Sequence, residues 1–281
     1  MIRQVAVLGT GTMGRGIAYL SALAGYDTVI HDVDSGALDA AKASIESTLR
    51  KGVEKGKVDA AAAEEANKLI QLASDLEPAV RTADLIIEAV PEDIDLKQNL
   101  FSQADVFCGE ETILVSNTSS ISISKLAGAV ERRDLFAGMH FFNPPHLMKL
   151  VEIVRGERTS DATVAQIREV AERMGKEPVI VRDSPGFATS RLGIAIGLEA
   201  MRMFEEGVAS AEDIDRAMEL GYNHPMGPLR LSDLVGLDVR LGIAEYLATA
   251  LGPRFEPPEI LKRMVRDGKL GKKTGEGFYR W

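Results

Sequence analysis

With 281 residues, 45% of them hydrophobic, the chain has material for one large domain or two modest ones, each with a proper core. A net charge of −9 argues against nucleic acid and anionic membranes as partners, and 5% aromatic content offers no platform for stacked bases. The single cysteine, Cys108, rules out an intrachain disulfide and a zinc cluster, and no apolar run approaches the ~18 residues of a membrane span, so a cytoplasmic protein is expected.

Residues 5–8 are four apolar residues that read as a strand buried on both faces, so early that no signal peptide is expected. Gly9, Gly11 and Gly14 follow at GxGxxG spacing, and an amphipathic helix begins at once on Met13, Ile17, Leu20 and Leu23. Gly9 permits the tight turn, Gly11 admits a pyrophosphate to the backbone, and Gly14 lets helix and sheet pack closely. The helix N-terminus around Thr12 and Met13 offers N–H groups to the phosphates. A second strand, 28–31, ends in Asp32, whose carboxylate can accept both ribose hydroxyls of an adenosine and would repel the extra phosphate of NADP. A lone glycine motif can be a mere surface turn, but here the strand, the helix and the spaced acid are all present. NAD is the expected cofactor.

Ser35 reads as the N-cap of a long helix with the stripe Leu38, Ile45, Leu49 and Val53. A break at Gly56-Lys57 leads to an alanine-rich helix over 60–73, and the pair reads as an inserted helical hairpin. Arg50, Lys51, Lys55 and Lys57 near its turn are either a solvated face at a helix C-terminus or an anchor for a phosphorylated substrate tail. Further strands are expected at 85–90, 113–116, 136–142, 150–154 and 179–181, with helices from Glu92-Asp93 to about 107 and over 161–174. From Pro185 onward strand signals stop, and helices are expected over 187–206, 211–220 (capped by Ser210), 231–251 and 258–266. The architecture is therefore α/β: an N-terminal Rossmann-type doubly wound sheet with an inserted helical hairpin over residues 1–183, then an all-helical domain over 184–281.

A nicotinamide enzyme that oxidises an alcohol needs a group to take the hydroxyl proton, and histidine is the usual one near neutral pH. His31 lies on the adenosine side, His224 beside prolines in a turn of the helical half, and His146 in a loop. His140 stands at a strand end, where open α/β sheets place their ligands, with Glu152 on the following strand. A core histidine and an exposed strand acid are the alternatives, and spacing alone does not pair them. The turn Asn117-Thr118-Ser119-Ser120 either brings hydroxyls and an amide beside a reacting carbon or is an ordinary turn with a helix cap.

Taken together, GTGTMG at 9–14, SNTSS at 116–120, GMHFFNPP at 138–145, LVEIV at 150–154, DSPGF at 183–187 and GKKTGEGFY at 271–279 resemble the L-3-hydroxyacyl-CoA dehydrogenases. Short-chain bacterial members of that family are 3-hydroxybutyryl-CoA dehydrogenases. The resemblance runs end to end and implies roles. His140 matches the general base, Glu152 the carboxylate that orients it, and Ser119 the hydroxyl bonded to the substrate's 3-oxygen. Asn143 falls near the nicotinamide, Glu92 and Lys97 fall on its ribose side, and Asn117 is grouped with the cofactor contacts. Thr48 and Lys55 fall where the family binds the CoA tail. Ser190 stands where the family usually has asparagine, at the border of substrate and cofactor, and keeps a donor and an acceptor on a shorter side chain. The implied reaction is the NAD-dependent interconversion of (S)-3-hydroxyacyl-CoA and 3-ketoacyl-CoA, as in fatty-acid β-oxidation, by a homodimer paired through its helical domain. The apolar stretch 192–198 is consistent with that pairing. Two rival functions are a dehydrogenase of a free hydroxy or sugar acid, against which Thr48 and Lys55 speak, and a non-catalytic NAD(H)-binding protein, against which His140 and Glu152 speak.

Overall fold

Short apolar runs become the strands of one sheet, and the amphipathic stretches between them become its helices. In the computed structural model, which describes residues 2–281, the chain divides into two compact units, Met1–Asp183 and Ser184–Trp281. The first runs β1 (Gln4–Leu8), α1 (Thr12–Leu23), β2 (Asp27–His31), α2 (Ser35–Glu54), α3 (Ala60–Lys68), β3 (Ile70–Ala73), α4 (Leu76–Val80) and β4 (Leu85–Glu88). It continues with α5 (Ile94–Phe107), β5 (Ile113–Ser116), α6 (Ile123–Leu126), β6 (Phe136–Phe141), β7 (Leu150–Arg155), α7 (Asp161–Arg173) and β8 (Glu177–Arg182).

The strand order is β3-β2-β1-β4-β5-β6-β7-β8. Every neighbouring pair is parallel except β6 with β7. All residues of β4, β5 and β6 are buried, which is why they read as apolar runs rather than alternating ones. The order reverses at β1, so the crevice at the ends of β1 and β4 is the switch point where such sheets bind ligands. Two glycines make that crevice possible. Gly9 has φ +106°, and a Cβ there would sit 2.8 Å from the Ala89 carbonyl oxygen; a Cβ on Gly14 would sit 1.9 Å from the Gly9 carbonyl oxygen. Gly11 faces open space.

Local boundaries differ from the sequence reading in ways the structure explains. Asp34, not Ser35, caps α2, its carboxylate accepting the Gly36 and Ala37 amides. The expected helix over 60–73 stops at Lys68, because Ile70–Ala73 pairs with β2 and extends the sheet instead. β8 holds a proline, Pro178, which is tolerated because the strand is an edge. The helix expected from 187 begins at Thr189, since Phe187 has φ 49°. Gly236, with φ 106°, divides the helix expected over 231–251 in two.

The second unit comprises α8 (Thr189–Glu205), α9 (Ala211–Tyr222), α10 (Pro228–Val235), α11 (Leu237–Leu251) and α12 (Glu259–Arg266). Its core includes Ile194, Leu198, Met201, Leu229, Leu237 and Leu247. The Gly-rich tail is pinned to it by Asp233, fully buried, which accepts the amides of Phe278 (3.0 Å) and Tyr279 (2.9 Å) and the indole Nε1 of Trp281 (3.0 Å). Asp215 caps α10 by accepting the Leu229 and Arg230 amides, and Tyr279 donates its hydroxyl to the same carboxylate. Among the described residues no helix is long and apolar enough to cross a membrane, and no group of His, Cys, Asp and Glu could hold a metal ion.

Candidate active site

A pocket of about 550 Å³ opens at the switch point, lined by residues including Gly9, Gly11, Thr12, Met13 and Asp32. Gly11 is the N-cap of α1 and has no side chain to satisfy the first-turn amides, which leaves them for an anion. Asp32 accepts the Thr10 amide (3.1 Å) and hydroxyl (2.6 Å) on one oxygen and the Asp34 amide (3.2 Å) on the other. Burial pushes its pKa up, but these donors outweigh burial and hold it below the ordinary carboxylate range. It is therefore an anion at neutral pH, an acceptor for hydroxyls and a repellent for phosphate. Thr10, which orients it, occupies a variable position of the glycine motif and carries no sequence signal of its own.

Beside this pocket lies an ionic cluster with a buried centre, Glu88 and Lys97, and a more exposed member, Glu92. Glu88 ends β4 and is fully buried; Lys97, on α5, is 1% exposed. The Lys97 ammonium donates to Glu88 Oε1 (2.5 Å) and the Val90 carbonyl (3.1 Å), and it lies 3.3 Å from Glu92 Oε2. Glu88 Oε2 accepts the Ser116 hydroxyl at 2.5 Å. Glu92 Oε1 accepts the Thr118 hydroxyl (2.5 Å) and the Ser119 (3.0 Å) and Ser120 (3.2 Å) amides. Glu92, Lys97 and the Ser119 turn are thus brought together. Asn117 is buried at the start of that turn, and its side-chain oxygen accepts the Phe141 amide at 2.9 Å, tying the turn to the end of β6. Sequence reading passed over Glu88; its signal is a lone acid closing an apolar strand.

His140 and Glu152 are direct partners in the antiparallel β6–β7 ladder. His140 Nδ1 lies 2.8 Å from Glu152 Oε2, with His140 5% and Glu152 0% exposed. Glu152 is therefore not an exposed strand residue. A neutral ring that donates an Nδ1 proton to this carboxylate is left with Nε2 as its basic nitrogen. The ring sits 4.6 Å from that of Phe142, tilted by 46°.

The remaining expected contacts are more dispersed. Thr48, half-buried on α2, donates to the Ser44 carbonyl (2.8 Å) and lines a side pocket of about 200 Å³ with Arg15, Tyr19, Pro145 and His146. Lys55 is exposed at the C-cap of α2. Asn143 is exposed in the loop after β6. Lys176, 7% exposed, holds that loop by donating to the Pro145 (2.5 Å) and Met148 (2.9 Å) carbonyls, another residue the sequence reading did not single out. Ser190 is half-buried in the first turn of α8, in the second unit.

The profile described as "3-hydroxyacyl-CoA dehydrogenase, NAD binding domain" matches residues 4–184, and that described as "3-hydroxyacyl-CoA dehydrogenase, C-terminal domain" matches residues 186–281. A probable 3-hydroxybutyryl-CoA dehydrogenase of Deinococcus radiodurans is 45% identical, covering 99% of this chain and 100% of that protein. The 3-hydroxybutyryl-CoA dehydrogenase of Clostridioides difficile is 43% identical over 98% of each chain. The crystal structure of (S)-3-hydroxybutyryl-CoA dehydrogenase from Ralstonia eutropha matches with a TM-score of 0.96 at 41% identity, covering 100% of this chain and 99% of that one.

Proposed function

The chain belongs to the 3-hydroxyacyl-CoA dehydrogenase family, an NAD-binding oxidoreductase family, and on that premise we propose that it interconverts (S)-3-hydroxybutyryl-CoA and acetoacetyl-CoA. The observation that carries this reading is the buried His140–Glu152 pair, 2.8 Å apart, in a unit whose glycine loop and Asp32 fit a dinucleotide.

Gly9, Gly11, Thr12, Met13 and Gly14 hold the pyrophosphate, and Asp32 holds the adenosine ribose. Glu92, Lys97, Asn117 and Asn143 serve the nicotinamide end. When bound, NAD supplies the hydride acceptor for the C3 hydrogen, and NADH the donor in reverse. His140 removes the 3-hydroxyl proton at Nε2. Glu152 keeps the ring in the tautomer that allows this and stabilises the imidazolium that results. Ser119 donates its hydroxyl to the 3-oxygen and fixes it for proton transfer. In the reducing direction His140 returns the proton to that oxygen. Thr48 and Lys55 hold the CoA tail, the second by its positive charge, and Ser190 borders the acyl group with a shorter side chain than the family's asparagine.

The protein works as a homodimer through its helical unit. Leu192 and Ile196 on α8, 63% and 40% exposed, support this as apolar surface in want of cover. Light scattering of the purified protein reports the dimer mass directly.

The test of function is NADH oxidation at neutral pH with acetoacetyl-CoA beside acetoacetate. Turnover of the CoA ester with little on the free acid is the expected result; activity on the free acid alone overturns the reading.

A further inference from the structure

Glu88 takes no part in the proton transfer above, yet it is a fully buried carboxylate beside the site. Burial raises its pKa, against the opposing pull of the Lys97 ammonium, the Ser116 hydroxyl and the Val90 amide. A buried acid of this kind is costly unless every oxygen is occupied, and here each is. Oε1 accepts from Lys97 and from the Val90 amide (2.8 Å), and Oε2 accepts from Ser116. The Ser116 oxygen in turn accepts the Thr118 amide at 3.2 Å. Lys97 has three N–H groups and three acceptors around it: Glu88, the Val90 carbonyl and Glu92. The ammonium therefore joins two carboxylates that grip the same turn from two sides. Glu88 reaches its base through Ser116, and Glu92 reaches its middle through Thr118, Ser119 and Ser120.

We propose that Glu88 is a positioning residue for Ser119: through Lys97 and Ser116 it fixes the 116–120 turn and so sets where the Ser119 hydroxyl meets the substrate's 3-oxygen. This rests on the reading of Ser119 given above. Placement matters at this point, because a reacting oxygen displaced by about 1 Å can lose on the order of a hundredfold in rate. A residue that only stabilised the fold would affect the enzyme equally whether or not Ser119 carried its hydroxyl.

The test is a pair of double-mutant cycles. Ser116→Ala cuts the link to Thr118 and leaves the Glu88–Lys97 pair in place, while Glu88→Gln removes the charge and keeps the shape. Each is made in the parent chain and in a Ser119→Ala background, and kcat for acetoacetyl-CoA is measured at saturating NADH, with the NADH Kd measured by fluorescence. In the parent chain kcat is expected to fall roughly tenfold or more for each variant. In the Ser119→Ala background the further loss is expected to be under about twofold, with the NADH Kd little changed throughout. Equal fold losses in both backgrounds overturn the proposal and leave Glu88 a residue of stability alone. Should Glu88→Gln fail to fold, the Ser116→Ala cycle decides by itself. Full activity in Ser119→Ala is a different failure: it removes the substrate role of Ser119, and the positioning role goes with it.

Discussion

Four acids lie in or beside the candidate site, and each has different neighbours. Asp32 is held by Thr10, Glu88 by Lys97, Glu92 by a whole turn, and Glu152 lies against His140. His140→Gln keeps a polar side chain but cannot relay a proton, so turnover is expected to drop roughly 10²- to 10⁴-fold while NADH binds within about twofold of normal. Loss of NADH binding in that variant would contradict its assignment. Glu92 gives a pH signature. Burial alone would raise its pKa, but Lys97, the Thr118 and Ser120 hydroxyls and the Ser119 amide together hold it below the ordinary 4.5. A carboxyl lowered on folding adds stability that is full above its unfolded pKa and is lost as pH falls through the lower folded value. The melting temperature of Glu92→Gln should therefore fall less steeply than that of the parent as pH drops below 4.5. Parallel slopes would show that Glu92 is not held this way.

At the level of elements, what the sequence made legible was local. The glycine spacing, the acid after β2 and the apolar runs of β4 and β5 are each written within a few residues. Gly14→Ala should show how tightly that spacing is set: its Cβ would fall 1.9 Å from a backbone oxygen, so the β1–α1 turn must shift. The expected cost is about 1–3 kcal/mol of stability with weakened NADH binding; unchanged affinity would argue against a shift. What could not be read was pairing at a distance. Ile70–Ala73 carries no mark that separates a strand from another helical turn, since its partner β2 lies some forty residues away. The contact between His140 and Glu152 depends on β6–β7 register, and a slip of one residue would turn either side chain to the opposite face. Glu88 reads as an odd acid in an apolar strand until Lys97 and Ser116 are folded around it.

Over the whole molecule, each unit has its own core, and the helical one closes on its tail. Asp233 has no ammonium or guanidinium in its hydrogen-bond shell among the described residues; two backbone amides and an indole occupy it. Asp233→Asn would set an amide group against those donors, and a loss of about 3 kcal/mol is expected in denaturant unfolding. A variant as stable as the parent would show that the tail is held by its aromatic side chains instead. The same clamp imposes an order in time. By residue 182 the sheet has all eight of its strands, so the nucleotide-binding unit can fold while the rest of the chain is still being made. The helical unit lacks the partners of its central carboxylate until later, because they are residues 278–281, nearly fifty positions further along. The half that binds NAD can be finished on the ribosome, and its companion completes only after residue 281 has emerged.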